Sequence, residues 1–163
     1  KTPCVVESLR LIPDSGGPGH YRGGLGVERI VRARAPCVFS SQIERAHCKP
    51  WGLEGGGEAA GNEVAVRTGS KWKTDFPNAK VLVAYLEPGD AFRMRSGGGG
   101  GYGAPFERPV AAVEEDARQG YISVAAAKDC YGVVLDPETF AADMAATERL
   151  RASMRRALSP SAA

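Results

Sequence analysis

The chain has 163 residues, 43% hydrophobic and 25% charged, which suits one compact soluble domain with its own core. A net charge of only +2 argues against nucleic acid as the principal partner. No apolar run is long enough to span a membrane and no signal-like segment opens the chain, so a cytoplasmic location is expected.

Cys4 to Ile12 is β-branched and alternating and predicts a strand. Pro13 to Gly26 breaks it with a glycine-rich loop, Pro-Asp-Ser-Gly-Gly-Pro-Gly-His-Tyr-Arg-Gly-Gly-Leu-Gly. Val27 to Ala35 returns to a strand, in which Ile30 interrupts strict alternation and implies burial on both faces or a bulge. Cys37 to Ile43 predicts another short strand. Glu44 to Gly61 is irregular and holds Pro50-Trp51-Gly52-Leu53 and a second glycine cluster, Gly55 to Gly57. Asn62 to Arg67 predicts a strand and Thr68 to Asn78 polar turn material. Lys80 to Glu87 is the strongest strand signal, and Pro88-Gly89-Asp90 predicts a tight turn that pairs it with Ala91 to Arg95 as a hairpin.

Ser96 is followed by five glycines, Gly97 to Gly101, then Tyr102 and Gly103. Such a run weakens both helix and strand, and suits a backbone that needs positive φ or that something approaches closely. A flexible linker is the alternative. The strongly patterned flanks favour a structured loop at a site or an interface, so Gly98, Gly99, Gly100, Gly101 and Tyr102, with Trp51, are loop or interface candidates.

Beyond this run the period changes from 2 to 3.6. Pro109 suits a helix start, Val110, Val113 and Ala117 share a face, and Gly120 suits a C-terminal cap. Ser123 caps a second short helix through Cys130, closed by Gly132. Asp136-Pro137-Glu138 predicts the start of a third, with Phe140, Met144, Thr147, Leu150, Met154 and Leu158 along its inner face. The helical charges read as a solvated face. Ser159 to Ala163 reads as a frayed tail. The fold class is α+β: a β-rich, glycine-loop-rich frame over 1–103, then a helical segment over 104–158.

Gly99-x-Gly101-x-x-Ala104 and Gly55-x-Gly57-x-x-Ala60 satisfy a loose dinucleotide-binding pattern. Pro105 and Pro109 interrupt the first before any helix, and the second leads into a strand, so neither presents phosphates to a helix N-terminus. Ser15, Gly16, Gly17, Arg22, Gly23 and Gly24 form a candidate substrate or anion site: successive N–H groups make a nest and Arg22 supplies a guanidinium fork. The alternative is a tight connection in which Arg22 pairs with a nearby acid. Four widely spaced cysteines read as free, mostly buried thiols, and with only His20 and His47 no metal site is expected within this chain. No catalytic residue stands out.

Ser15-Gly16-Gly17-Pro18-Gly19-His20-Tyr21-Arg22-Gly23-Gly24-Leu25-Gly26 resembles the S-G-G-x-G-x-Y-R-G-G-x-G signature of the hydantoinase B/oxoprolinase family. Pro50 to Gly56 matches its P-W-G-L-x-G-G segment. Leu86 to Asp90 with Ser96 to Pro105 resembles its L-x-P-G-D and glycine-run stretch, and Gly120 to Ser123 with Asp129 to Leu135 its closing motifs. Departures are Pro13-Asp14, His20, Cys48-Lys49, and a fifth glycine where the family has proline. The resemblance extends from Asp14 to about Arg151 and covers only the C-terminal portion of the longer family subunits. With an opening at Lys1 rather than Met, the expectation is either a fragment or one half of a split subunit.

The resemblance implies part of an ATP-dependent amidohydrolase acting on cyclic amides of the hydantoin or 5-oxoproline type. It implies a hetero-oligomer: an A-type subunit that binds ATP and Mg2+, and the upstream part of the B-type subunit, which would hold any divalent metal. It implies no cofactor on this chain alone, and from charge and hydropathy no nucleic-acid or membrane partner is expected. A subunit of an acetone- or acetophenone-type carboxylase and a non-catalytic assembly module are the alternatives.

Overall fold

The computed structural model describes residues 3–158, except for the side chain of Leu158. The expected inner-face role of Leu158 and the frayed tail at Ser159 to Ala163 lie outside what it describes. Among the described residues seven strands precede three α-helices: β1 Cys4–Leu11, β2 Val27–Ala33, β3 Cys37–Gln42, β4 Glu63–Thr68, β5 Lys71–Lys73, β6 Lys80–Leu86, β7 Ala91–Arg95, α1 Val110–Arg118, α2 Val124–Asp129 and α3 Met144–Leu158. The α+β class, with its helices gathered at the C-terminal end, is as expected.

All pairings between these strands are antiparallel. Five strands form one sheet in the order β1-β2-β7-β4-β5, and β3 pairs with β6 in a second. The irregularity anticipated around Ile30 falls on the partner strand: the β1–β2 register shifts between Val6 and Ser8, leaving Glu7 as the extra residue beside Ile30. Ala33, Phe39, Val64, Val66, Val81 and Leu86 fill the core, with Phe39 stacked on Phe92 at 4.0 Å between ring centroids.

Three expectations are corrected. First, β6 and β7 are not a hairpin. β6 pairs with β3 and β7 with β2 and β4, so Pro88-Gly89-Asp90 is a corner between sheets. The Asp90 carboxylate accepts the backbone N–H of Glu87 at 2.9 Å and of Gly69 at 2.8 Å, while Ala33 exchanges backbone hydrogen bonds with Gly89 and Asp90. The Glu87 bond closes the corner, and the other three hold it to β2 and the β4–β5 turn. Second, Thr68 to Asn78 is not only turn material: it contains β5, whose Trp72 lies against the guanidinium groups of Arg67 and Arg93, each 5.4 Å from its ring. Third, α3 begins at Met144 rather than near Asp136. Asp136 Oδ1 accepts the N–H groups of Glu138 and Thr139 and the Thr139 hydroxyl, Phe140 has φ 58°, and Leu135 bridges to Ala142. The acid that resembles a helix cap closes a local turn instead, and Asp143 accepts the Ala146 N–H at the true start.

Those hydrogen bonds hold Asp90 below the usual carboxylate range; the Glu87 N–H contributes most and the Gly69 N–H next. A carboxylate with a depressed folded pKa stabilises the fold above its unfolded value of about 3.9, and that contribution disappears as the pH falls through the folded value. Urea titrations of wild type and Asp90→Asn should therefore differ by a constant amount above about pH 5 and converge below about pH 4. A gap independent of pH would separate Asp90 from acid unfolding.

A second core lies in the helical segment, with Val113, Ala117, Ile122, Ala127, Tyr131, Val133 and Leu135 buried together. Val113 and Ala117 occupy the expected inner face of α1. Gly120, at φ 71°, follows its end, and Ser123 caps α2 by accepting the Ala126 N–H. The end of β1, the start of β2, the end of β7 and the start of β4 meet at one end of the five-stranded sheet. All three glycine-rich segments emerge there. Asp14 then joins them to the helices: its N–H donates to Tyr121 O and its carboxylate accepts the Ser123 N–H.

Candidate functional site

The glycine run does not need positive φ. Among its flanks Gly103 has φ 73°, but Gly97 to Gly101 all lie outside that region. Close approach is the reason for glycine here, and what approaches is this chain's own backbone. A Cβ on Gly23 would sit 1.8 Å from Gly99 O, and one on Gly100 would sit 1.9 Å from Trp51 O. Gly17 faces Gly57 O, Gly98 faces Ser15 O, and Gly101 faces Pro18 O in the same manner. The three segments therefore pack main chain against main chain, with no room for side chains between them. This excludes the linker alternative.

Lateral hydrogen bonds tie the bundle together. Gly17 N–H donates to Gly99 O at 2.9 Å, Gly99 N–H to Gly24 O at 2.9 Å, Gly101 N–H to Gly57 O at 3.0 Å, and Leu53 N–H to Gly101 O at 2.9 Å. The fully buried Ser15 hydroxyl donates to Ile12 O and accepts Gly26 N–H at 2.8 Å. Asn62 Oδ1 accepts Gly97 N–H at 2.6 Å. The N–H groups of Gly17 and Gly23 and the Ser15 hydroxyl, counted in the sequence as donors for an anion, thus bond within the fold; Gly16 is buried against Gly23 O, while Gly24 faces open space.

Arg22 points at the helices. Its Nε donates to Asp116 Oδ2 at 3.0 Å and its Nη2 to Asp116 Oδ1 at 3.3 Å, while Nη1 donates to Gly23 O. Arg108 Nη2 donates to the same Asp116 Oδ2 at 2.9 Å, and its Nη1 to His20 O. One buried carboxylate therefore gathers two guanidinium groups. The reading of all helical charges as a solvated face fails at Asp116, which is only 6% exposed. Its place three residues after Val113 on the apolar face of α1 was the available signal. Beside this triad, burial pushes the Tyr131 hydroxyl up to about 12, with Arg108 and Arg22 pulling the other way.

The outer end of the bundle is aromatic. Tyr21 and Tyr102 exchange backbone hydrogen bonds of 3.0 Å, their rings lie 6.3 Å apart, and Leu53 bridges to Tyr102 from the third segment. His20 packs edge-on against Tyr21 at 4.6 Å, and Arg45 covers the Trp51 ring at 5.7 Å. Tyr21, Trp51, Leu53 and Tyr102 are each more than half exposed. Of the sequence candidates, then, the structure brings Arg22 and the bundle glycines into an internal frame and sets Trp51 and Tyr102 on its surface. Tyr21 and Leu53 join them, visible only once the segments are aligned.

Among the described residues, no group of three or more His, Cys, Asp or Glu side chains is arranged to hold a metal ion. The four cysteines are free, but the expectation of mostly buried thiols is corrected: Cys48 is exposed and Cys4, Cys37 and Cys130 are half-buried. Among the described residues no helix is long and apolar enough to cross a membrane.

The hydantoinase B/oxoprolinase family matches residues 1–105, and the chain belongs to it. Protein MJ0963 of Methanocaldococcus jannaschii is 34% identical over 152 residues, covering 91% of this chain and 26% of that protein. Caprolactamase subunit beta of Pseudomonas jessenii is 30% identical over 147 residues, covering 82% of this chain and 24% of that subunit. The solved ATP-dependent caprolactamase from the same organism superposes with a TM-score of 0.80 at 26% identity, over 92% of this chain and 26% of that one. Nucleotide-free acetone carboxylase superposes with a TM-score of 0.81 at 26% identity, over 95% of this chain and 25% of that one. The chain thus spans about a quarter of the length of these relatives.

Proposed function

We propose that this chain is the C-terminal part of a B-type subunit in an ATP-dependent amidohydrolase acting on cyclic amides of the hydantoin or 5-oxoproline type. It works with an ATP-binding A-type subunit and with the upstream part of the B-type subunit. The observation that carries this reading is the family match over residues 1–105, joined to similarity with caprolactamase subunit beta. An unactivated cyclic amide is a poor electrophile. Transfer of the ATP γ-phosphoryl group to its oxygen makes the carbon open to water, and loss of phosphate accompanies cleavage of the C–N bond. In this reading ATP and Mg2+ sit on the partner. The bundle supplies a rigid frame whose aromatic end, Tyr21, Trp51, Leu53 and Tyr102, meets the rest of the assembly.

The likeness to acetone carboxylase favours a second reading, a carboxylase subunit. Purifying the assembly that contains this chain and measuring ADP release separates the two. Release dependent on a cyclic amide is expected; release dependent on bicarbonate and a ketone would replace hydrolysis with carboxylation. Within that complex, Trp51→Ala with Tyr102→Ala should weaken retention of the A-type subunit about tenfold or more, since large exposed aromatics dominate interfaces. Unchanged retention would remove this end of the bundle from the subunit contact.

A further inference from the structure

Cys4 and Cys37 lie far apart in the sequence but at one place in the fold. Cys4 pairs with Ala33 at one end of the β1–β2 ladder, and Arg34 N–H donates to Pro3 O at 2.8 Å. The chain then turns through Pro36 into β3, which begins at Cys37 in the other sheet. Both side chains line the groove between the sheets, together with Val6, Val31, Phe39 and Phe92. Both are half-buried, so a small oxidant reaches them, and Cys4 is among the groups that raise the Cys37 thiol.

We propose that Cys4 and Cys37 form a dithiol pair that a hydroperoxide converts to a disulfide, linking the edge of the five-stranded sheet to the two-stranded one. Burial, followed by the neighbouring Cys4 thiol, pushes the Cys37 thiol up. Cys4 opens the edge strand β1 and is oxidised first. Its thiolate sulfur attacks the peroxide, the O–O bond breaks, and Cys4 becomes a sulfenic acid with release of hydroxide. The Cys37 sulfur then attacks the Cys4 sulfur, the S–O bond breaks, and the departing hydroxide takes the Cys37 proton as water. For hydrogen peroxide the sum is two thiols and one peroxide giving one disulfide and two waters. The other cysteines lie outside this groove.

The reduced full chain is treated with hydrogen peroxide, quenched with N-ethylmaleimide and digested with trypsin without reductant. The expected product is peptide 2–10 linked to peptide 35–45, lost on adding dithiothreitol. The oxidised chain should unfold at higher urea than the reduced one, because the link constrains the unfolded state. In Cys37→Ser the linked product is lost and a sulfenic acid at Cys4 is trapped by dimedone; Cys48→Ser keeps the linked product. Alkylated or sulfinic Cys4 and Cys37 without the linked peptide in the unaltered chain, or preferential linkage of either to Cys48, overturns the proposal. Because the linked peptide is sought in the unaltered chain, the outcome does not depend on a variant folding.

Discussion

Gly23→Ala should destabilise the protein by at least about 3 kcal/mol, at or beyond the upper end of ordinary overpacking. The added methyl would stand 1.8 Å from Gly99 O, and the next nearest atoms are also backbone, Gly99 C and Gly100 O. Main chain cannot swing aside as a side chain does. Relief requires separating the segments, which breaks the bonds from Gly17 N–H to Gly99 O and from Gly99 N–H to Gly24 O. Gly24→Ala, one residue on, is the internal control. A Cβ there meets nothing within 4 Å and φ is not positive, so stability should hold or rise by up to about 1 kcal/mol through loss of unfolded-state freedom. Urea midpoints followed by circular dichroism check both. Equal effects at the two positions would mean that the glycines are not there to admit neighbouring backbone.

Asp116→Ala should cost about 3–5 kcal/mol, the range for removing one partner of a buried ion pair. Arg22 and Arg108 have side chains 15% exposed and share this one carboxylate, so its loss leaves two like charges facing each other away from water. Asp116→Asn keeps the shape and one acceptor but not the charge, and should recover only a minor part. Glu115→Ala, in the same helical turn but on the exposed side with Arg118 and Gln119, should change the urea midpoint little. A comparable loss at both positions would place the effect in helix α1 itself rather than in the triad. Arg22 supports the bundle through this contact, so loss of Asp116 should also loosen its attachment to the helices. Faster amide exchange at Tyr102, in a segment that Asp116 does not touch, would report it.

The family signature and the strand positions were legible in the chain because alternation and short motifs are local properties. β1, β2, β3, β4, β6 and β7 lie where the alternation places them to within a few residues. Their partners were not legible. Pro88-Gly89-Asp90 has turn composition whether the flanking strands pair with each other or separate into two sheets. What separates them is the pair of acceptors on Asp90, and one of their donors, Gly69, is remote in sequence. The start of α3 was misplaced for a related reason. Asp136 is a good cap for a helix and equally good for a closed turn, and the bridge from Leu135 to Ala142 decides between them.

The glycine run divides the two kinds of information most clearly. By itself the sequence determined that Gly97 to Gly101 could pack no side chain and that their patterned flanks disfavoured a linker. It also determined the family, through motifs in order along the chain. Only the tertiary structure decided what fills the space that the missing side chains leave: the main chain of the two other glycine segments, brought to the same end of the sheet by strand pairing. The same placement turned Arg22 toward Asp116 and left Trp51 and Tyr102 on the surface. Glycine removes a steric barrier without specifying a neighbour, so its sequence records a permission. The neighbour comes from the fold.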